Sequence, residues 1–278
     1  MSVFVASLNS GSNGNCYYVG TNDEAILVDA GLSCRETEKR LTRLALNIGS
    51  VKAVFISHEH TDHIFGLPVL AKKYRLPVYI TERTRMYSRL NLMPELVHSF
   101  TSYEPVEIGC LQIHAFPKFH DAADPHSFIV SSKGVKVGIF TDIGNACNNV
   151  VDSFCQCNAV FLESNYDERM LMNGRYPYHL KQRIRGGMGH LSNSQAFDLF
   201  TSCRSPFMSH LFLSHLSREN NSHEIVDALF QPHARSTRVV IASRFKETAV
   251  YEVKAPVDIK PVLFSGTRRP AQLQLSLF

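Results

Sequence analysis

Short apolar runs rich in β-branched and aromatic residues recur along the chain, separated by polar and glycine-containing stretches. Examples are SVFVASL, AILVDAG, VKAVFISH, HSFIVSS, KVGIFTD, AVFLESN and HLFLSHL. Runs of this length and composition, bounded by turn residues, are typical of β-strands. The pattern predicts about a dozen strands, which continue into a second β-rich half from about residue 106.

Helical periodicity appears between some of these strands. In CRETEKRLTRLAL, residues 34–46, the apolar residues Leu41, Leu44 and Ala45 fall on one helix face. A second helix is predicted over SNSQAFDLFTSC, residues 192–203, where Ser192 or Asn193 supplies an N-cap. Two sheets with helices outside both would accommodate this order of elements, which belongs to the α/β (α+β) class.

Composition narrows the class of protein further. The chain has 278 residues, 44% of them hydrophobic, and a formal net charge of +4. This mild basic excess is compatible with a nucleic-acid partner but does not by itself indicate one. Seven cysteines without a CxxC pair, and an N-terminus without a signal-peptide pattern, predict a reduced, cytoplasmic protein. The apolar runs are too short to cross a membrane, so no membrane partner is expected.

One shift in composition occurs near the C-terminus. The stretch SGTRRPAQ has the glycine, arginine and proline content of a linker. We therefore expect one folded domain over residues 1–264 and a flexible tail over residues 265–278.

The segment SHEHTDHIFGL contains the clearest chemical signal. It follows the apolar strand VKAVFIS and carries His58, His60, Asp62 and His63. Imidazoles and a carboxylate placed this closely are typical ligands of divalent metals. A polar loop with chance histidines is the alternative, which the specific HxHxDH spacing disfavours.

This motif resembles that of the metallo-β-lactamase superfamily, whose fold is a four-layer αββα sandwich with metals at one edge between the sheets. The resemblance implies a later His, a bridging Asp and a final His. The matching residues are His120 in FPKFHDAADPH, Asp142 in GIFTDIG and His215 in LFLSHLS. His126 competes with His120, which we prefer because it directly follows the strand-like LQIHAFPKF.

The resemblance also implies how the ligands are shared between two divalent ions, which would be Zn, Mn or Fe. The ligands of one ion would be His58, His60 and His120, and those of the other Asp62, His63 and His215. Asp142 would bridge the two ions, and a buried acidic residue, Asp29, would orient the ligand loop. Such a site keeps open positions for water and substrate.

Five further stretches resemble the bacterial family called YycJ, WalJ or VicX: LNSGSNGNCYYV, HDAADPHSF, ESNYDERML, GRYPYHLKQRIRGGMGHLSN and LSHLSRENN. The family implies a 5′-to-3′ DNA exonuclease linked to DNA repair, in which a metal-bridging hydroxide attacks the scissile phosphate. Alternatives are a hydrolase of RNA or small phosphodiesters, and a low-turnover regulator of cell-wall signalling.

Several residues are candidates for contact with the substrate. His190 precedes a predicted helix and resembles the His-Ser-Thr element of tRNA 3′-processing enzymes, which implies contact with phosphate or protonation of the leaving oxygen. Asp62 or the hydroxide would then handle the attacking water. A plain helix-capping role for His190 is the alternative. Ser12 and Asn13 in the NSGSNGN loop and Asn165 after FLES are further substrate candidates.

The last residues of the chain suggest a docking peptide. QLSLF resembles the pentapeptide by which bacterial polymerases and repair factors bind the sliding clamp, and its candidate contacts are Gln274, Leu275, Leu277 and Phe278. An edge strand is the alternative, because Leu273, Leu275 and Leu277 alternate.

Overall fold

The computed structural model describes residues 2–256, which contain two seven-stranded sheets. The strands are β1 (Ser2–Asn9), β2 (Cys16–Gly20), β3 (Ala25–Val28), β4 (Val51–Phe55), β5 (Val78–Tyr79), β6 (Val97–His98), β7 (Pro105–Ile108), β8 (Leu111–Pro117), β9 (His126–Ser132), β10 (Val135–Phe140), β11 (Ala159–Glu163), β12 (His210–Ser214), β13 (Arg238–Ile241) and β14 (Tyr251–Lys254).

The helices lie between these strands in the chain. They are α1 (Cys34–Arg43), α2 (Thr61–Ile64), α3 (Leu67–Tyr74), α4 (Glu82–Ser88), α5 (Asn148–Phe154), α6 (Glu168–Asn173), α7 (Tyr178–Arg185), α8 (Asn193–Cys203) and α9 (His223–Phe230). Helix α8 begins as predicted, because Ser192 and Gln195 form a capping box. Helix α1 is shorter than predicted: Ala45 adopts φ +55°, which ends the helical path.

Each sheet combines antiparallel and parallel pairing. The first has the order β14-β1-β2-β3-β4-β5-β6 and is parallel from β3 to β6. The second has the order β13-β12-β11-β10-β9-β8-β7 and is parallel from β10 to β13. The carboxyl ends of β10, β11 and β12 therefore meet at one edge, where polar side chains following each strand come together.

The two sheets pack face to face through a core of large side chains. Its fully buried aromatic members are Tyr17, Phe55, Phe128, Phe161 and Phe212. A second cluster packs α1 and α3 on the outer face of the first sheet, and a third packs α5, α8 and α9 on the outer face of the second. The predicted four-layer αββα sandwich is confirmed.

Three polar residues at the strand ends have unusual backbone conformations. Asp29, Asp142 and His215 adopt φ values of +62°, +54° and +57°. The left-handed region costs a residue with a Cβ on the order of 1 kcal/mol. Residues held there tend to cluster at functional sites, so these strand ends are candidates for one.

The predicted boundary at residue 264 and the tail over residues 265–278 lie outside the described residues. Within residues 2–256, none of the helices has the length and apolar character needed to span a bilayer.

Candidate metal centre

The residues singled out by the HxHxDH spacing gather at the edge where the strands end. His58 and His60 lie in the loop after β4, and Asp62 and His63 lie in the short helix α2 that follows. His120 comes from the loop after β8, Asp142 from the segment after β10, and His215 directly follows β12. The structure thus brings all seven predicted ligands together, within four overlapping groups of potential ligand atoms.

Three histidines form one part of this cluster, which we call the histidine half: His58, His60 and His120. His58 Nε2 lies 3.1 Å from His60 Nδ1, and His120 Nε2 lies 3.3 Å from the same atom. Three ring nitrogens therefore converge on a single point.

The outer nitrogens of two of these rings are already engaged. Ser57 Oγ donates to Asp29 Oδ2, so the 2.9 Å contact between His58 Nδ1 and Ser57 Oγ requires the ring nitrogen to donate. His120 Nδ1 donates to the carbonyl of Gly189 at 3.0 Å. The inward Nε2 atoms of neutral His58 and His120 consequently carry lone pairs, which we assign from this hydrogen-bond network.

Protonation does not relieve this convergence of lone pairs. Burial holds the pKa of His58 well below its usual value, and burial lowers the pKa of His120 to about 4. Neutral imidazoles whose lone pairs face one another are the donor set that a divalent transition metal prefers.

The other part of the cluster, the acidic half, consists of Asp62, His63, Asp142 and His215. His63 Nε2 lies 3.2 Å from Asp142 Oδ2 and 3.5 Å from Asp62 Oδ2. His215 Nε2 lies 3.6 Å from Asp62 Oδ2. Asp142 Oδ2 and His215 Nε2 are buried without a hydrogen-bond partner in the described part of the chain. Such unsatisfied buried atoms are costly, and a cation between them would satisfy both.

Electrostatics in the acidic half favour positive charge. Burial alone would lower the pKa of His215, but Asp142, Asp62 and Glu163 outweigh burial and raise it to about 10. The pKa of His63 is likewise raised, because Asp142, Asp29 and Asp62 outweigh burial. Protons on the imidazoles or metal ions between the ligands can supply this charge.

Asp29 supports the ligand loop from behind, as predicted from the resemblance. It is fully buried and accepts hydrogen bonds from Ser57 N at 2.8 Å and from His63 Nδ1 at 2.7 Å. A carboxylate behind a ligating histidine fixes its tautomer and turns Nε2 toward the metal.

Glu163, the last residue of β11, is a site residue that the sequence analysis did not identify. Its Oε1 atom accepts from His190 Nδ1 at 2.8 Å and from His215 Nδ1 at 2.9 Å. Burial opposes its charge, but His190 and His215 outweigh burial and lower its pKa to about 2. Its position at the end of an apolar strand, like those of Asp142 and His215, was an available signal.

His190 is the most accessible histidine of the group around Glu163. Its side chain is 22% exposed, whereas that of His215 is 3% exposed. Ser192, rather than His190, caps helix α8. A capping role therefore does not account for His190, which faces the acidic half from the side of Glu163.

The predicted substrate contacts occupy different environments. Ser12 is exposed, and Asn13 donates from Nδ2 to the carbonyl of Arg244 at 2.8 Å. Asn165 is buried, and its amide donates to the carbonyl of His215 at 2.8 Å. Asn165 thus lies behind the site rather than on its rim, because its amide holds the backbone of His215.

His126 lies apart from the cluster. Its Nε2 atom contacts Ser102 Oγ at 2.8 Å, and its ring packs against Phe100. The preference for His120 over His126 agrees with this geometry, because the groups of potential ligand atoms include His120 and not His126.

Comparison with known proteins agrees with the fold and the motif. The family model of the metallo-beta-lactamase superfamily matches residues 10–180. Among solved structures, the metallo-beta-lactamase fold protein YhfI from Bacillus subtilis superposes with a TM-score of 0.66 at 16% identity, covering 91% of this chain and 100% of its own. The chain therefore belongs to the metallo-β-lactamase superfamily, and it is a metal-dependent hydrolase by class.

Curated relatives narrow this class. Exodeoxyribonuclease YycJ from Bacillus anthracis is 36% identical over 233 residues, which cover 81% of this chain and 86% of the relative. Exodeoxyribonuclease WalJ from Streptococcus pneumoniae is 31% identical over 225 residues, covering 78% of this chain and 83% of the relative. Within the superfamily, the chain belongs with the YycJ and WalJ group.

Proposed function

We propose that this protein is a dinuclear-metal phosphodiesterase that acts as a 5′-to-3′ DNA exonuclease linked to DNA repair. The supporting observation is that the histidine half and the acidic half are adjacent donor sets, and that Asp142 reaches both. Asp142 Oδ2 lies 3.2 Å from His63 Nε2, and Asp142 Oδ1 lies 3.9 Å from His120 Nε2. One ion would be held by His58, His60 and His120. The other would be held by Asp62, His63 and His215, and Asp142 would contact both ions.

A pair of divalent ions supplies Lewis acidity, and it lowers the pKa of water for attack on a phosphodiester. Zn, Mn and Fe all suit imidazole and carboxylate ligands. The protein's own contribution is a rigid donor set, because Asp29, Ser57 and Glu163 hold the outer nitrogens of His63, His58 and His215. Preorganised ligands reduce the cost of assembling the site.

The contact between His190 and Glu163 supports a role for this pair in proton transfer. Glu163 accepts from His190 Nδ1, so the opposite ring nitrogen, Nε2, is free to meet substrate. A carboxylate behind a histidine fixes the orientation of the ring, so that the opposite nitrogen can meet the departing oxygen and serve as its proton donor. We assign His190 this role, and Asp62 that of orienting the attacking water.

DNA is favoured as the substrate because the two relatives described above, which match about four fifths of this chain, are named exodeoxyribonucleases. The direction of cleavage and the link to repair come from the family resemblance. The mildly basic net charge of +4 is compatible with a polyanionic substrate.

The test compares three substrates at equal enzyme concentration: 5′-phosphorylated single-stranded DNA, matched RNA and bis(p-nitrophenyl) phosphate. We expect the wild-type protein to degrade the DNA from its 5′ end and Asp142→Ala to degrade none of the substrates. Hydrolysis confined to the small ester would reject the nuclease assignment. Unimpaired cleavage by Asp142→Ala would reject the shared metal site.

We also propose that residues 265–278 form a tail that recruits the enzyme to the DNA sliding clamp through Gln274, Leu275, Leu277 and Phe278. Apolar anchors on a short extended peptide are typical of such docking. Removing residues 274–278 should abolish clamp binding in a pull-down and leave nuclease activity on free DNA intact. Unchanged clamp affinity would contradict the proposal, as would a large drop in melting temperature, which would favour an edge strand.

A further inference from the structure

The segment Ser243–Phe245 follows β13 and lies at the same sheet edge as the metal centre. Three consecutive carbonyl groups in it accept hydrogen bonds from other parts of the chain. Ser10 N donates to Ser243 O at 3.2 Å, Asn13 Nδ2 to Arg244 O at 2.8 Å, and Arg40 Nη2 to Phe245 O at 3.3 Å. The backbone of this segment is therefore fixed.

Ser10 connects the segment to the ligands. Its hydroxyl oxygen accepts from His215 N at 2.7 Å, while its own backbone amide donates to Ser243. Ser10 therefore bonds both to Ser243 and to the predicted metal ligand His215, and Arg244 is the residue that follows Ser243. The position of the Ser243–Phe245 segment relative to the metal centre is set by these short, direct bonds.

Arg244 is half-buried beside the NSGSNGN loop, residues 9–15. A Cβ built on Gly11, whose φ is +143°, would lie 3.2 Å from Arg244 Cβ and 3.8 Å from the carbonyl oxygen of Leu216. Because Gly11 has no side chain, the Cβ of Arg244 can pack close to Gly11, near the carbonyl of Leu216.

The guanidinium group of Arg244 makes no ion pair or hydrogen bond within residues 2–256. Its charged neighbours are Arg218, which repels it, and Glu219, which already lies 3.7 Å from Arg218. Two arginines with a single nearby carboxylate leave an excess of positive charge beside the site. An arginine held without a partner is ready to bind an anion such as phosphate.

Phe245 is the next residue and is 75% exposed, the highest exposure among the large apolar side chains of the described residues. Its backbone is held, but its ring has no packing partner in the core clusters. Exposed aromatic rings next to cationic groups are typical of surfaces that stack the bases of single strands.

We propose that Arg244 and Phe245 together bind one nucleotide of a single strand next to the scissile bond, Arg244 through its phosphate and Phe245 through its base. This inference rests on the proposed function and specifies its substrate as single-stranded near the cleavage site. A duplex would keep its bases stacked on one another and away from Phe245.

The first test replaces the charge. In Arg244→Gln we expect about a tenfold rise in KM for a 5′-phosphorylated dT strand, and a far smaller change for bis(p-nitrophenyl) phosphate, which has no neighbouring phosphate. The slope of log Kd against log salt for a hydrolysis-resistant phosphorothioate strand should fall by about 0.7, the contribution of one phosphate contact on a single strand. Arg235→Gln, an exposed arginine before β13, is the matched control and should change neither value.

The second test separates the base from the phosphate. Phe245→Ser should weaken binding of the dT strand about tenfold, a typical effect of losing one base–aromatic stack. Binding of an abasic strand with the same number of phosphates should not change with Phe245→Ser but should still weaken with Arg244→Gln. Phe245→Tyr, which keeps the ring, should bind the dT strand as the wild-type protein does.

These outcomes distinguish the two proposals. If the wild-type protein cleaves neither DNA nor the small ester, the proposed function fails. If the wild-type protein cleaves DNA but Arg244→Gln lowers activity on DNA and on the small ester equally, the nucleotide subsite is rejected and the proposed function stands. The same conclusion follows if Phe245→Ser weakens binding of the abasic strand as much as binding of the dT strand. Melting temperatures should stay within about 2 °C of wild type, because these side chains make few contacts.

Discussion

The histidine half and the acidic half of the metal centre lie side by side but attract a cation in different ways. In the histidine half, the buried rings of His58 and His120 present lone pairs toward one point, and burial lowers the pKa of both. In the acidic half, carboxylates raise the pKa values of His63 and His215. One half is thus preorganised by geometry and the other by charge, so their metal affinities should respond differently to substitution.

The largest effect should come from the residue that the two halves share. Asp142→Ala removes the carboxylate between them, and we expect kcat/KM for DNA to fall by on the order of 10³-fold, because the proposed pair of ions would lose the ligand that both share. Metal content, measured on protein purified without chelator, should fall as well. Asp152→Asn, an exposed acidic residue on α5, is the control and should retain full activity. Two tightly held ions in Asp142→Ala would show that the halves are independent.

A pair of substitutions tests whether the halves differ. His60→Ala removes one ligand of the histidine half and should leave one ion per chain, held by the acidic half. Asp62→Asn keeps the size of the side chain but removes its charge, and we expect the metal affinity of the acidic half to fall by at least the roughly 10- to 100-fold that loss of a supporting residue costs. Elemental analysis and competition with a graded chelator series measure both effects. Equal loss of both ions in each variant would contradict a division into two halves.

Glu163 belongs to the acidic side of the centre but also holds His190. Glu163→Gln keeps the side-chain volume but removes the carboxylate that accepts from His190 and His215, so kcat should fall by about 10- to 100-fold. If proton donation by His190 depends on Glu163, the double variant Glu163→Gln/His190→Gln should be little worse than either single variant. Additive losses would indicate that Glu163 acts through His215 alone.

The two sheets were predictable because strand patterns are local, and the clustering of the candidate ligands was predictable from the HxHxDH spacing together with the family resemblance. Apolar strands that end in HxHxDH, Asp142 or His215 bring metal ligands to one edge in any parallel arrangement. Glu163 was not identified, because its role depends on Oε1 meeting His190 and His215 from two other segments. Asn165 was predicted to contact substrate, and its burial was missed for a related reason: its amide donates to the carbonyl of His215, a distant residue. The position of Glu163 at the end of an apolar strand was a local signal, but its contacts with two distant segments, which define its role, have none in the sequence.

The smallest expected effect is at Ser57, the residue that touches both halves. Its hydroxyl accepts from His58 Nδ1 in the histidine half and donates to Asp29, which separately holds His63 in the acidic half. Ser57→Ala therefore removes the partner of His58 but leaves the partner of His63 in place. The loss of one hydrogen bond, about 1 kcal/mol, predicts roughly fivefold weaker binding of one ion. Chelator titration should show this weakening for the ion of the histidine half and none for the other. If binding of both ions weakened equally, Ser57 would couple the two halves through Asp29. That result would contradict the distinction between a half preorganised by geometry and a half preorganised by charge.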